Sequence, residues 1–140
     1  MLPPFLPNGN LPPGIHSVTW KEFCQCFGRS QRRKKLLEGL EEAIQSLSKA
    51  GCSAIYIDGS FVTNKTNPGY FDACWDIHVD YDKLDPVFLD FSSARAAQKA
   101  RFGGELFPAQ IPEGASGKMW LDFFQTDRTG ASKGIVKIDL

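Results

Sequence analysis

The sequence predicts an α/β domain in which a small mixed sheet is flanked by helices. Three observations carry that expectation. Residues 31–50 hold Leu36, Leu37, Leu40, Ala43, Ile44 and Leu47 on one stripe at helical spacing. Residues 52–58 and 70–81 alternate at the two-residue period of strands, and 119–126 and 133–140 read as two further strands near the end. A chain of 140 residues is long enough to bury the core that these elements need.

Residues 1–14 contain five prolines and two glycines without a period. Proline fixes φ and removes donors, so an extended arm is expected here, lying over the domain or remaining free; residues 15–140 form the domain proper. Thr19-Trp20-Lys21-Glu22 reads as a capping box that opens a short helix ending at Gly28. Ser30 caps the long helix, and Gly51 is its left-handed stop. The run Arg32-Arg33-Lys34-Lys35 occupies the first turn, the unfavourable end for positive charge. It is either solvated surface or a contact to phosphate or RNA.

Cys52–Asp58 is a strand that runs into Gly59-Ser60. Along 70–81, Phe71, Ala73, Trp75, Ile77, Val79 and Tyr81 point one way, and Tyr70, Asp72, Cys74, Asp76, His78 and Asp80 the other. Leu84–Phe91 is irregular or briefly helical, broken by Pro86. Ala94–Arg101 is a helix stopped by Gly103-Gly104, and two final strands, Met119–Thr126 and Lys133–Leu140, are joined as a hairpin by DRTGAS. The expected order is α-α-β-β-α-β-β.

Sixteen basic and sixteen acidic residues cancel, so no global field steers the protein toward nucleic acid or an anionic membrane. Cys24, Cys26, Cys52 and Cys74 make no CxxC pair, and His16 and His78 complete no zinc spacing. The cysteines read as free, partly buried small hydrophobes. No leader and no membrane span is visible, so a cytoplasmic protein with reduced thiols is expected.

The chemistry gathers in IYIDGSFVTNKTNPGYFDACWD, residues 55–76. A strand ending in Gly-Ser offers backbone amides and a hydroxyl to a phosphate. Positions 70 and 72, after the loop, share a strand face about 6.5 Å apart. Carboxylates so placed suit a pair of magnesium ions about 3.5–4 Å apart. This stretch resembles the nucleotidyltransferase superfamily, the DNA polymerase β-like group. LPPGIHSVTWKEF, RRKKLLEGLEEAIQSLSKAGC, RAAQKARFGGELFP and FFQTDRTGASKGIVKIDL are similar to a small prokaryotic family assigned to that superfamily.

The resemblance implies a nucleotidyltransferase-like fold with a nucleoside triphosphate as ligand and magnesium as cofactor. It puts Gly59 and Ser60 at the phosphates, with Lys65 near them, and gives Asp72 the place of the second carboxylate of the pair. Asp122, in MWLDFFQ, takes the third, a metal ligand that also assists the base step. The departure is Tyr70, where related sequences carry the first aspartate. A phenol is neutral at pH 7, and magnesium prefers anionic oxygen.

Two expectations follow from one fold. One is a degenerate, weakly active or inactive module, serving as a toxin-antitoxin or defence-associated partner. The other is an active magnesium enzyme that moves a nucleotidyl group to a hydroxyl of a protein, RNA or small molecule. A third reading, from another class, is an interaction domain that docks Phe5, Leu6 and Leu11 of the arm on a neighbouring chain.

Overall fold

The structure, a computed structural model, describes residues 2–140; Met1 of the arm lies outside the described residues. The elements are β1 (Gly14–Val18), α1 (Trp20–Phe27), α2 (Gln31–Lys49), β2 (Ala54–Asp58), β3 (Phe71–Trp75), α3 (Ser92–Phe102), β4 (Gly104–Pro108), α4 (Trp120–Phe123) and β5 (Gly134–Asp139), with 3₁₀ turns at Gly59–Val62 and Pro86–Leu89. The sheet order is β1-β5-β2-β3-β4. The β1/β5 and β3/β4 pairs are parallel, while β2 runs antiparallel to both neighbours, which makes the five-stranded sheet mixed.

The helix signals act as expected. The Thr19 hydroxyl accepts from Glu22 N, the reciprocal bond closes the capping box, and Ser30 accepts from Arg33 N to start α2. Leu36, Leu37, Leu40, Ala43 and Leu47 are buried on the sheet-facing side of α2, and Gly51 stops it at φ +81°. Each fully buried leucine contributes about 1.5–3 kcal/mol, so this stripe and not helix propensity holds α2 in place.

Two expectations are corrected at the chain ends. A strand, β1, follows the arm; it lies at the sheet edge with only Val18 buried, too little burial to leave an alternating pattern. The final hairpin does not form. Residues 120–123 coil into α4, because Trp120 and Phe124 stack at i, i+4 with ring centroids 5.4 Å apart. Lys133–Leu140 contributes β5 alone, inserted between β1 and β2. The DRTGAS turn is retained, with the isolated bridge Thr126↔Ser132 across it.

The predicted strand 70–81 is cut to 71–75. Beyond Trp75, Asp76 Oδ1 accepts from both His78 N and His78 Nδ1, and its other oxygen accepts from Gln110 Nε2. Those bonds turn the chain away from the sheet although the sequence goes on alternating. The arm, for its part, lies over the domain. Leu11 is 1% exposed, its carbonyl accepts from Gly134 N, and Phe5 meets Phe27 edge-on. Among the described residues no helix is long and apolar enough to cross a membrane.

The register separates the sheet into two unlike faces. Ile55, Ile57, Phe71, Ala73, Trp75, Leu106, Val136 and Ile138 belong to the larger core, shared with α1, α2 and Phe88 and Phe102. Tyr56, Cys74, Phe107 and Ile135 face the other way, under Trp120, Leu121 and Phe124. This second face is the thinner one, and it carries the carboxylates.

Candidate functional site

Cross-strand register fixes the site. Asp58 is opposite Asp72 on the antiparallel pair, and Asp72 is opposite Glu105 on the parallel one. Partners so placed share a face, with adjacent strands about 4.8 Å apart. Three carboxylates therefore stand in one row across β2, β3 and β4. Like charges directly opposite one another are destabilising, so the row costs stability.

The Gly-Ser corner closes against this row. Gly59 has φ +71°, and a Cβ there would come within 2.5 Å of Asp72 Oδ2. Only glycine permits both the left-handed backbone and that approach. Ser60 follows in the 3₁₀ turn, where its carbonyl accepts from Thr63 Oγ1 at 2.7 Å. The corner and Asp72 thus meet as the sequence predicts.

The electrostatics follow from burial. Asp58 is 0% exposed, and its Oδ1 is buried with no hydrogen-bond partner. Burial first, and the charge of Asp72 next, push its pKa well above the usual carboxylate range. Asp72 is raised to about 6, again by burial first and then by Glu105, against the opposing pull of Lys133, Lys99 and Arg95. The Cys74 thiol, with Sγ 3.9 Å from Asp58 Oδ2, is pushed well up by burial and by both aspartates, so it stays protonated.

Glu105 faces two cations, Arg95 Nη1 at 3.6 Å and Lys99 Nζ at 3.7 Å. Arg95 lies over the Phe107 ring at 4.0 Å, with Phe91 and Trp120 at 5.4 and 5.5 Å. It is delivered there by a left-handed turn, Ser93, Ala94 and Arg95 at φ 51°, 53° and 61°, ahead of the right-handed part of α3. Glu105 was not anticipated from the sequence. Its signal was a single carboxylate in a short apolar strand, GELFP, directly after a helix and a glycine stop.

The other predicted residues lie elsewhere. Tyr70 precedes β3 and is 50% exposed, with Lys99 Nζ 5.7 Å from its ring centroid. Half of its surface is therefore open to solvent, and its ring lies near the Lys99 that pairs with Glu105. Asp122, expected on a strand, is exposed on α4, and among the described residues no hydrogen bond or ion pair joins it to Asp72. Lys65 is exposed, and it lines a cavity with Arg29, Ser30, Arg33 and Thr63.

The basic run divides: Lys34 and Lys35 are exposed, as a solvated surface would have them, and the two arginines are not. Arg33 is buried and donates to the carbonyls of Phe27, Phe61, Thr63 and Lys65, while Arg32 donates to those of Pro68 and Gly69. Both arginines fold the loop that links β2 to β3.

The donor set does not fit the two-magnesium arrangement that the resemblance implies. Among the described residues no three His, Cys, Asp or Glu side chains are gathered to hold a metal ion. Position 70 supplies a half-exposed phenol in place of a carboxylate, and Glu105 already faces two cations. The orphaned Asp58 Oδ1 is the one feature that favours a cation, and it does not complete a ligand set.

No curated protein and no solved structure matches the chain. A family model matches residues 3–139, nearly its whole length. The chain belongs to that family, described as the family of unknown function DUF6932.

Proposed function

We propose that the chain is a nucleotidyltransferase-like module that binds a nucleoside triphosphate at the Gly59-Ser60 corner and the carboxylate row, with a metal site degraded at position 70. One observation carries this reading: the left-handed glycine of the corner seats directly on the carboxylate of Asp72. Most Gly-Ser pairs are simple turns. This one is locked to the acid that the resemblance pairs with it, and Glu105 stands next to that acid in register on β4.

Within this reading the residues have separable roles. Ser60 and the corner amides hold phosphate. Asp72, with a pKa of about 6, is a base near neutral pH and is placed to accept a proton from an attacking hydroxyl. Burial favours the protonated form of Asp58, which eases the repulsion it would exert on Asp72 across the strand pair.

Thermal melting tests the proposal. A nucleoside triphosphate at millimolar concentration is expected to raise the melting temperature, and added magnesium to change it little. In Tyr70→Asp, magnesium should add a clear further rise. The absence of a shift in both proteins, with or without magnesium, would remove the nucleotidyltransferase reading.

A further inference from the structure

The groups around Glu105 hold donors that the fold does not use. A guanidinium carries five N–H donors and an ammonium three. Among the described residues the side chains of Arg95 and Lys99 make no hydrogen bond; their contacts to Glu105, at 3.6 and 3.7 Å, are ion pairs too long for one. Arg95 Nε is buried with no partner at all. Two cations thus converge on one carboxylate without hydrogen-bonding it, and the rings of Phe91, Phe107 and Trp120 surround the guanidinium, Phe107 closest at 4.0 Å.

Three left-handed residues in succession, none of them glycine, place Arg95 there. Such backbone costs free energy, and it persists where the surroundings or a function demand it. A planar fork held in an aromatic cage matches two oxygens of one phosphate, as an ammonium alone does not.

We propose that Arg95 and Lys99 form a phosphate clamp for the diphosphate part of a ligand, and that the carboxylate of Glu105 is its internal stand-in, displaced when the anion enters. The clamp rests on the reading of the site as one for phosphate esters, and it deepens that reading. It moves the anion contact from Lys65, which lies in another cavity, to the edge of β4. Binding here relies on side-chain cations and needs no metal.

Isothermal titration of the full chain with pyrophosphate, in the presence of a chelator, is the test. Wild type is expected to bind. Arg95→Met, which keeps a flexible apolar chain between the rings, should weaken binding at least tenfold. Glu105→Gln removes the competing charge and should strengthen it several-fold. These two substitutions act in opposite directions, so a general loss of folding cannot imitate the pattern. The clamp is overturned if neither wild type nor Glu105→Gln binds, if Arg95→Met binds like wild type, or if Glu105→Gln binds more weakly. A separate arm keeps the two proposals apart: should a nucleoside triphosphate bind no more tightly than pyrophosphate and leave Asp72→Asn indistinguishable from wild type, the nucleotidyl reading fails while the clamp stands.

Discussion

Arg33 and Arg95 are both largely withdrawn from water, and both lie against phenylalanine rings. They differ in what their N–H groups meet. Arg33 makes five hydrogen bonds, from 2.6 to 3.3 Å, to the carbonyls of Phe27, Phe61, Thr63 and Lys65. Arg95 makes none, and one of its nitrogens is orphaned. A buried donor without a partner costs roughly 1–3 kcal/mol, so the first site is built for stability and the second is maintained at its expense. The carboxylates repeat the contrast: no acid crowds Arg33, whereas Arg95 stands over a row whose members repel one another.

The largest expected effect is at the satisfied site. Arg33→Met leaves four carbonyls without their donor and unties the loop that carries the chain from β2 to β3. A loss of about 3–5 kcal/mol is expected, read by urea denaturation. On a domain of this size that corresponds to a fall in melting temperature of roughly 10–20 °C. Arg95→Met, measured beside it, should stay within about 1 kcal/mol of wild type, because no hydrogen bond is lost. Equal losses at the two positions would erase the distinction.

The second effect is one of pH. Asp58 and Asp72 both have folded pKa values raised above their unfolded ones, so the folded state holds these protons more tightly. The stability this contributes is complete below about pH 4 and is lost as the pH rises, through about 6 for Asp72, with Asp58 acting in the same direction. Asp72 alone accounts for roughly 2–3 kcal/mol between pH 4 and pH 8. Asp72→Asn should therefore gain on wild type over that range, and parallel profiles for the two proteins would contradict the crowding of the row. Over the same range Arg33 stays charged, so its contribution has no such slope.

The same contrast explains what was legible in the sequence. Patterns that report burial or capping were readable: the stripe of α2, the Thr19 box and the stop at Gly51 each express a local cause. The Gly59–Asp72 contact was readable because both residues belong to one spaced motif. Glu105 was not, because its role depends on a parallel pairing between β3 and β4 that no local pattern announces. Asp122 misled for the opposite reason. WLDFF suits a strand by its aromatic content, and the aromatic pair at i, i+4 decides for a helical turn. Arg33 looked like surface charge, since nothing in a basic run reveals that a distant segment will offer it three carbonyls.

The smallest effect concerns the backbone that brings Arg95 to its place. Ala94 has φ 53° and ψ 44°, a region that costs an ordinary residue roughly 1–2 kcal/mol. Glycine adopts it freely but loses more entropy on folding, about 0.5–1 kcal/mol relative to alanine. Ala94→Gly should therefore stabilise the protein, by up to about 1 kcal/mol in urea denaturation. At Lys34, an exposed position of α2 where the helix is right-handed, glycine should instead cost about 1 kcal/mol. If Ala94→Gly is destabilising, the turn is not strained, and Arg95 reaches Glu105 without the conformational cost that sets it apart from Arg33.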